Sequence, residues 1–262
     1  MDIKNSTILI TGGTSGIGLE MVKQLLPLKP SDIIITGRDA AKLMKIKTEI
    51  PQIHTFQSDV SNPDDIKELY TEVTRKFPNL NIIINNAGIM RNLELRDQSL
   101  SLTNITSEID INLSGTIQMV HQFLPHLLSQ PSAAVVNVSS GLAFIPFPVS
   151  PIYSAAKAGI HAYTQVLRLQ LQDTRVKVFE LAPPATDTPL GDPFKGLVDS
   201  SINMKTEKMV SLAIKGILND KSEIKPGLSK MMKIMSRIAP DTALKMVDSS
   251  IRKAKDKLKN KQ

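Results

Sequence analysis

Short apolar, β-branched runs alternate along this chain with longer amphipathic stretches. The runs are Thr7–Thr11, Asp32–Thr36, His54–Gln57, Leu80–Ile84, Ala133–Val138 and Val176–Leu181. Several are nearly continuous in apolar residues, the pattern of strands buried on both faces. Between them, apolar spacing at threes and fours predicts helices over Leu19–Leu28, Ala40–Ile50, Pro63–Phe77, Ile105–Leu128 and Tyr153–Leu171. Asn62 is placed to cap the third of these, with Pro63 at its first helical position. Strands alternating with helices in this way predict an α/β fold, a parallel sheet covered by helices on both faces. The pattern changes late in the chain. Lys225-Pro226-Gly227 is a break, after which Leu228–Ile238 and Ala243–Leu258 read as amphipathic helices separated at Pro240. The expected division is a nucleotide-binding and catalytic domain over residues 1–227 and a helical tail over residues 228–262.

Charge sharpens that division. The chain of 262 residues carries a net charge of +7, and the tail alone holds ten Lys or Arg against three Asp. The body is therefore neutral and the tail basic. Three readings of the tail stand side by side: it lies on an anionic membrane surface, it packs over a substrate mouth or a sister subunit, or it is a solvated terminus. A uniformly basic body, the mark of a nucleic-acid binder, is absent, so no nucleic-acid partner is expected. The absence of Cys excludes a disulfide framework, a thiolate metal site and a cysteine nucleophile, and no metal is expected. The N-terminus lacks the basic and apolar regions of a signal peptide, and no stretch is long and apolar enough to span a bilayer. A cytoplasmic protein, with peripheral contact at the inner membrane surface as an extension, is the corresponding expectation.

The candidate chemistry begins where the first strand ends. Thr11-Gly12-Gly13-Thr14-Ser15-Gly16-Ile17-Gly18 leads directly into a helix. Glycines there allow positive φ and close approach of a pyrophosphate, and the helix N-terminus offers free N–H groups. The spacing Gly12-x-x-x-Gly16-x-Gly18 differs from the commoner G-x-G-x-x-G. The second strand ends in Thr36-Gly37-Arg38, with no acid at the point where one would hold a ribose 2′-hydroxyl. Arg38 suits a 2′-phosphate, which favours NADP(H), with NAD(H) as the other possibility. A solvated Arg38, or one stacked on adenine, is the alternative, and neighbouring Asp39 opposes the preference.

Tyr153 and Lys157 stand four residues apart and so share a helix face. A neighbouring ammonium favours phenolate, which makes the pair a proton donor and acceptor for a carbonyl/alcohol couple. Ser139 and Ser140 end the fifth strand, where a hydroxyl could hold a substrate oxygen or simply cap the strand. Asn112 lies in the middle of a predicted helix, a position that Asn disfavours.

Taken together, T-G-G-T-S-G-I-G at 11–18, Asp59-Val60, N-N-A-G at 85–88, Asn112, Ser140, Tyr153, Lys157 and Pro183–Thr188 resemble the short-chain dehydrogenase/reductase family in order and spacing, over residues 7 to about 190. Details at 140–144 and 182–184 resemble a bacterial subgroup encoded near lipoteichoic-acid D-alanylation genes. The resemblance implies a doubly wound Rossmann-type sheet of about seven strands and hydride transfer to or from a nicotinamide. It implies that Tyr153 is the general acid/base and that Lys157 holds the nicotinamide ribose and lowers the Tyr153 pKa. It further implies that Ser140 orients the substrate oxygen and Asn112 holds a relay water. For the cofactor it implies contacts from Gly12, Thr14, Ser15, Gly16, Ile17, Gly18 and Arg38, from Asp59 and Val60 at the adenine, and from Asn86, Ala87 and Gly88 along the ribose. Pro183, Thr186 and Thr188 would flank the nicotinamide. Pro184 replaces the family's usual Gly. A homodimer or homotetramer is also implied.

The family places a substrate lid after the last of these residues, here at about 189–206. Leu142, Phe144 and Phe147 before Tyr153, with Leu190 and Phe194 in the lid, predict an apolar pocket; Phe144 and Phe147 could equally be ordinary core residues. The expected function is an NADP(H)-dependent oxidoreductase, more a reductase of an apolar carbonyl than an oxidase. The alternatives are a nucleotide-binding sensor or scaffold with little turnover, and a membrane-surface protein that works through its tail.

Overall fold

The computed structural model describes residues 1–259. Seven strands form one parallel sheet: β1 (Thr7–Thr11), β2 (Asp32–Gly37), β3 (His54–Gln57), β4 (Leu80–Asn85), β5 (Ala133–Val138), β6 (Val176–Leu181) and β7 (Glu223–Ile224). Their order is β3-β2-β1-β4-β5-β6-β7. The chain thus starts at the centre, builds outward to β3, and reverses to build the other half from β4. Ligands of such sheets bind at this reversal, beyond the carboxyl ends of β1 and β4.

Both faces of the sheet are buried, which is why the strand sequences do not alternate. Ile8, Ile10, Ile33, Ile35, Ile82 and Ile84 pack on one side, against α1 (Gly16–Leu25), α2 (Ala40–Glu49) and α7 (Thr206–Leu218). Leu9, Ile34, Ile83, Ala133 and Val135 pack on the other, against α3 (Pro63–Lys76), α5 (Gly115–Ser129) and α6 (Pro151–Gln170). Asn62 caps α3 as expected, its side chain accepting from the Asp64 amide, with Pro63 at the start.

Two departures from the pattern reading matter. The helix expected over 105–128 begins earlier, as α4 (Leu102–Ile109), and is interrupted by a π-helical turn at Asp110–Ser114 before α5. Asn112 sits in that turn and is fully buried. The pattern reading also assigns no element to the stretch where α7 and β7 stand.

The basic tail forms α8 (Leu228–Ile238) and α9 (Pro240–Lys259). α8 lies on the short helical turn Gly141–Ala143 after β5. Lys233 of α8 and Lys225 before it both pair with Glu223 of β7. Burial alone would raise the Glu223 carboxyl, but the two ammonium groups hold it at about 2. Ile251 and Val247 of α9 pack with Phe147, Val149 and Phe194. Part of the tail therefore packs against the body beside Phe147 and Phe194. Among the described residues no helix is long and apolar enough to cross a membrane.

Candidate active site

The turn after β1 is shaped by close backbone approach. Gly12 has φ +67°, and a Cβ there would stand 2.9 Å from Ala87 Cα. A Cβ on Gly18 would stand 2.4 Å from the Gly12 carbonyl oxygen, so the first turn of α1 lies directly under the glycine loop. Thr11 stitches the loop to the end of β4: its hydroxyl accepts from the Asn86 and Ala87 amides, each at 3.0 Å. The Asn86 side-chain amide returns bonds to the Thr11 and Gly12 carbonyls. Ser15 makes no side-chain cap to α1, and Gly16 and Ile17 line the cleft beyond.

That cleft has a volume of about 400 Å³. Gly12, Thr14, Ser15, Gly16, Ile17, Arg38, Asp59, Val60, Asn86, Ala87, Gly88 and Thr188 line it. Two hydroxyls beside Arg38 and Asp59, those of Thr36 and Ser58, are buried without a hydrogen-bond partner among the described residues. Buried polar groups rarely stay unpaired, so the cleft fits a polar ligand such as the nucleotide end of NAD(P). Arg38 is exposed at the rim, and Asp39 is engaged in capping α2 through the Lys42 amide at 3.0 Å. Gly18 does not line the cleft but supports its floor. Gly18→Ala is expected to displace the loop and weaken cofactor affinity by at least about tenfold, a loss readable by fluorescence titration.

A second cavity of about 540 Å³ adjoins the first, sharing Ile17, Asn86, Gly88 and Thr188 with it. Ser140, Tyr153 and Lys157 meet here. β5 delivers Ser140, whose hydroxyl accepts from the Leu142 amide at 3.1 Å. α6 presents Tyr153 and Lys157 one turn apart, both buried. Lys157 Nζ donates to the Val138 carbonyl at 2.8 Å and lies 5.5 Å from the centre of the Tyr153 ring. Burial lowers the Lys157 ammonium to about 8. Burial also raises the Tyr153 phenol to about 12, against the pull of the neighbouring Ser140 hydroxyl and with a further push from the Glu108 carboxylate. In the protein alone burial dominates the Tyr153 phenol, and the opposing pull comes from Ser140 rather than from Lys157.

Asn112 does not reach this cavity with its side chain. Its Oδ1 accepts from the Ile89 amide and its Nδ2 donates to the Ile89 carbonyl, both at 2.9 Å. Four residues earlier, Glu108 is fully buried and accepts from the Arg91 amide at 2.8 Å. The two side chains clamp the segment 89–91, whose Met90 lines both cavities. Burial raises the Glu108 carboxyl despite Arg91.

Pro183, Thr186 and Thr188 line the second cavity, as do Leu142, Phe147, Leu190 and Phe194. The lid stretch folds as two short helical turns, Pro189–Phe194 and Ser200–Ile202, with Phe194 buried. Phe144 is placed elsewhere: it stands edge-on to His161, ring centres 5.0 Å apart, with Lys233 Nζ above it. Met232 of α8 joins the cavity wall, and a Cβ on Gly141 would come within 2.9 Å of its sulfur. Thr11, Glu108 and Met232 are the contributors the sequence reading missed. A threonine at the strand end and an acid one turn before Asn112 were the available signals; nothing local in the sequence points Met232 at the cavity.

A central parallel sheet, a glycine-lined cleft at its reversal and a buried Ser–Tyr–Lys cluster next to it define a Rossmann-type, nucleotide-binding oxidoreductase. The chain belongs to the short chain dehydrogenase family, whose sequence model matches residues 6–195. It is 41% identical to "Uncharacterized oxidoreductase DltE" of Bacillus subtilis, over 86% of this chain and 89% of that one. It is 34% identical to an uncharacterized oxidoreductase of Staphylococcus aureus, over 69% and 78% of the two chains. Among solved structures, it matches a short chain dehydrogenase from Burkholderia cenocepacia in complex with NADP with a TM-score of 0.81 and 20% identity, covering 94% of this chain and 99% of that one. A short chain dehydrogenase/reductase from Burkholderia phymatum in complex with NAD gives 0.78 and 18%, with 90% and 95% covered.

Proposed function

We propose that the protein is an NADP(H)-dependent reductase of an apolar carbonyl compound. The observation that carries this is the meeting of Ser140, Tyr153 and Lys157 in a largely apolar cavity that opens into the glycine-lined cleft. A bound nicotinamide supplies the hydride. The Ser140 hydroxyl holds the substrate oxygen, and the Tyr153 phenol donates the proton to it. A phenol held near 12 is fully protonated at neutral pH, the state that reduction requires. Lys157 keeps a positive charge below about 8 and so favours the phenolate left after transfer. Leu142, Phe147, Leu190 and Phe194 select for an apolar body around the carbonyl.

The preference for NADP(H) rests on Arg38 at the cleft's rim and on Asp39 being engaged in its helix cap. Arg38→Ala is expected to weaken NADPH by roughly ten- to a hundredfold, the worth of charged hydrogen bonds, and to leave NADH nearly unchanged. Equal losses for the two nucleotides in a fluorescence titration would reject this role.

The reading as a whole is tested by saturating the protein with NADPH and presenting apolar ketones, aldehydes and 3-oxoacyl thioesters. Oxidation of NADPH by one of these classes supports the reductase. Tight nucleotide binding with no turnover on any of them favours a sensor or scaffold.

A further inference from the structure

We propose that the outer face of α8 is a docking surface for an anionic lipid bilayer. Unlike most surface helices, α8 exposes its large apolar side chains: Leu228 is 43% exposed, Met231 54%, Ile234 48% and Ile238 76%. At 3.6 residues per turn these four fall within about 120° of the helix circumference. Lys230 and Arg237, both exposed, border the stripe and form no ion pair among the described residues. The helix contains no acidic residue.

The opposite face of α8 is fully occupied. Ser229 is buried, Met232 lines the catalytic cavity and Lys233 pairs with Glu223. The outer stripe is therefore not a core face awaiting a partner within the chain.

Charge selects the occupant. An apolar stripe flanked on its solvent side by cations, on a helix without acids, matches a membrane whose headgroups are anionic, where each nearby Lys or Arg adds attraction and the apolar side chains enter the interface. A second copy of this chain fits badly, because a symmetric contact would set one cationic helix against another. The body of the protein is neutral, so an anionic surface attracts the tail first, to which α8 contributes the exposed Lys230 and Arg237. Because α8 also supplies Met232 to the cavity wall, a docked helix would hold that wall about one helix diameter from the lipid.

The test is co-sedimentation of the full chain with vesicles of mixed phosphatidylglycerol and phosphatidylcholine, and with vesicles of phosphatidylcholine alone. The unaltered protein should sediment with the anionic vesicles and far less with the neutral ones. The triple variant Met231→Ser, Ile234→Ser, Ile238→Ser should lose at least about tenfold in partitioning, and Lys230→Glu with Arg237→Glu a comparable amount. Leu102→Ser, at an apolar position 86% exposed on α4, should change nothing. Thermal melting and NADPH titration of each variant show that it is folded, and the readout does not depend on turnover. No sedimentation with anionic vesicles, equal sedimentation with both vesicle types, or equal sedimentation of the triple variant and the unaltered protein would each overturn the proposal.

Discussion

Tyr153→Phe is expected to reduce carbonyl turnover by a factor of about a thousand while leaving NADPH affinity within about twofold. The substitution removes one oxygen and keeps the ring, so packing in the cavity is conserved. What it removes is the group placed to protonate the substrate oxygen, and positioned acids contribute roughly a hundred- to ten-thousandfold. The direction of the Tyr153 shift adds a pH signature. With the phenol pushed up to about 12, reduction should stay flat in its Tyr153-dependent limb through neutral and mildly alkaline pH. Steady-state rates with and without the substitution, together with a nucleotide titration, check all three points. Retained turnover in the Phe variant would remove Tyr153 from the chemistry.

Lys157→Met should also abolish most turnover, yet raise stability at neutral pH. The reason lies in the burial of Lys157, which holds its ammonium near 8, below the ordinary lysine value of 10.5. Below about pH 8 both the folded and unfolded chains hold this proton, and the folded state bears the full cost of burying it. Between about 8 and 10.5 the unfolded chain binds more protons than the folded one, so stability rises with pH. A shift of that size corresponds to roughly 3 kcal/mol at its limit. Methionine carries no charge and fills similar volume, so the rise across this window should disappear in the variant, less what is lost when the Val138 carbonyl gives up its bond. Denaturant titrations at pH 7 and pH 10 measure the difference. An unchanged slope would mean that Lys157 is not the buried cation that burdens the fold.

Much of the fold can be read from the sequence, and the reasons are local. The isoleucine-rich strands are buried on both faces, so their apolar runs need no tertiary information to be recognised. Asn62-Pro63 announces α3 because cap and first turn are set by neighbouring residues. The glycine loop is legible for the same reason, since a backbone that passes under Ala87 has little choice of residue. Other features depend on contacts distant in sequence. β7 has only two residues and exists through its pairing with β6. α7 did carry a helical pattern in Met209, Val210, Ala213, Ile214 and Ile217, but it follows the lid without a Gly or Pro to mark its start. Phe144 and Phe147 are similar in composition and neighbourhood, yet one faces His161 and the other the cavity. That difference is set by α6, α8 and α9, which no window around residue 144 contains. Asn112 was visible as an oddity in a helix, but not the wide turn that holds it.

That turn has a consequence for how the chain can change over evolutionary time. An α-helix advances about 100° per residue, so one residue more or fewer rotates everything beyond it by that angle. With the π turn at Asp110–Ser114, Glu108 meets the Arg91 amide while Asn112 meets Ile89. Loss of a single residue there would regularise the helix and carry Glu108 away from its partner, a fully buried carboxylate left without its backbone donor. Length variation is ordinarily absorbed in surface loops; here it is barred from the middle of a helix, and the spacing from Glu108 to Asn112 behaves as a fixed phase in the alignment of any descendant that keeps this clamp.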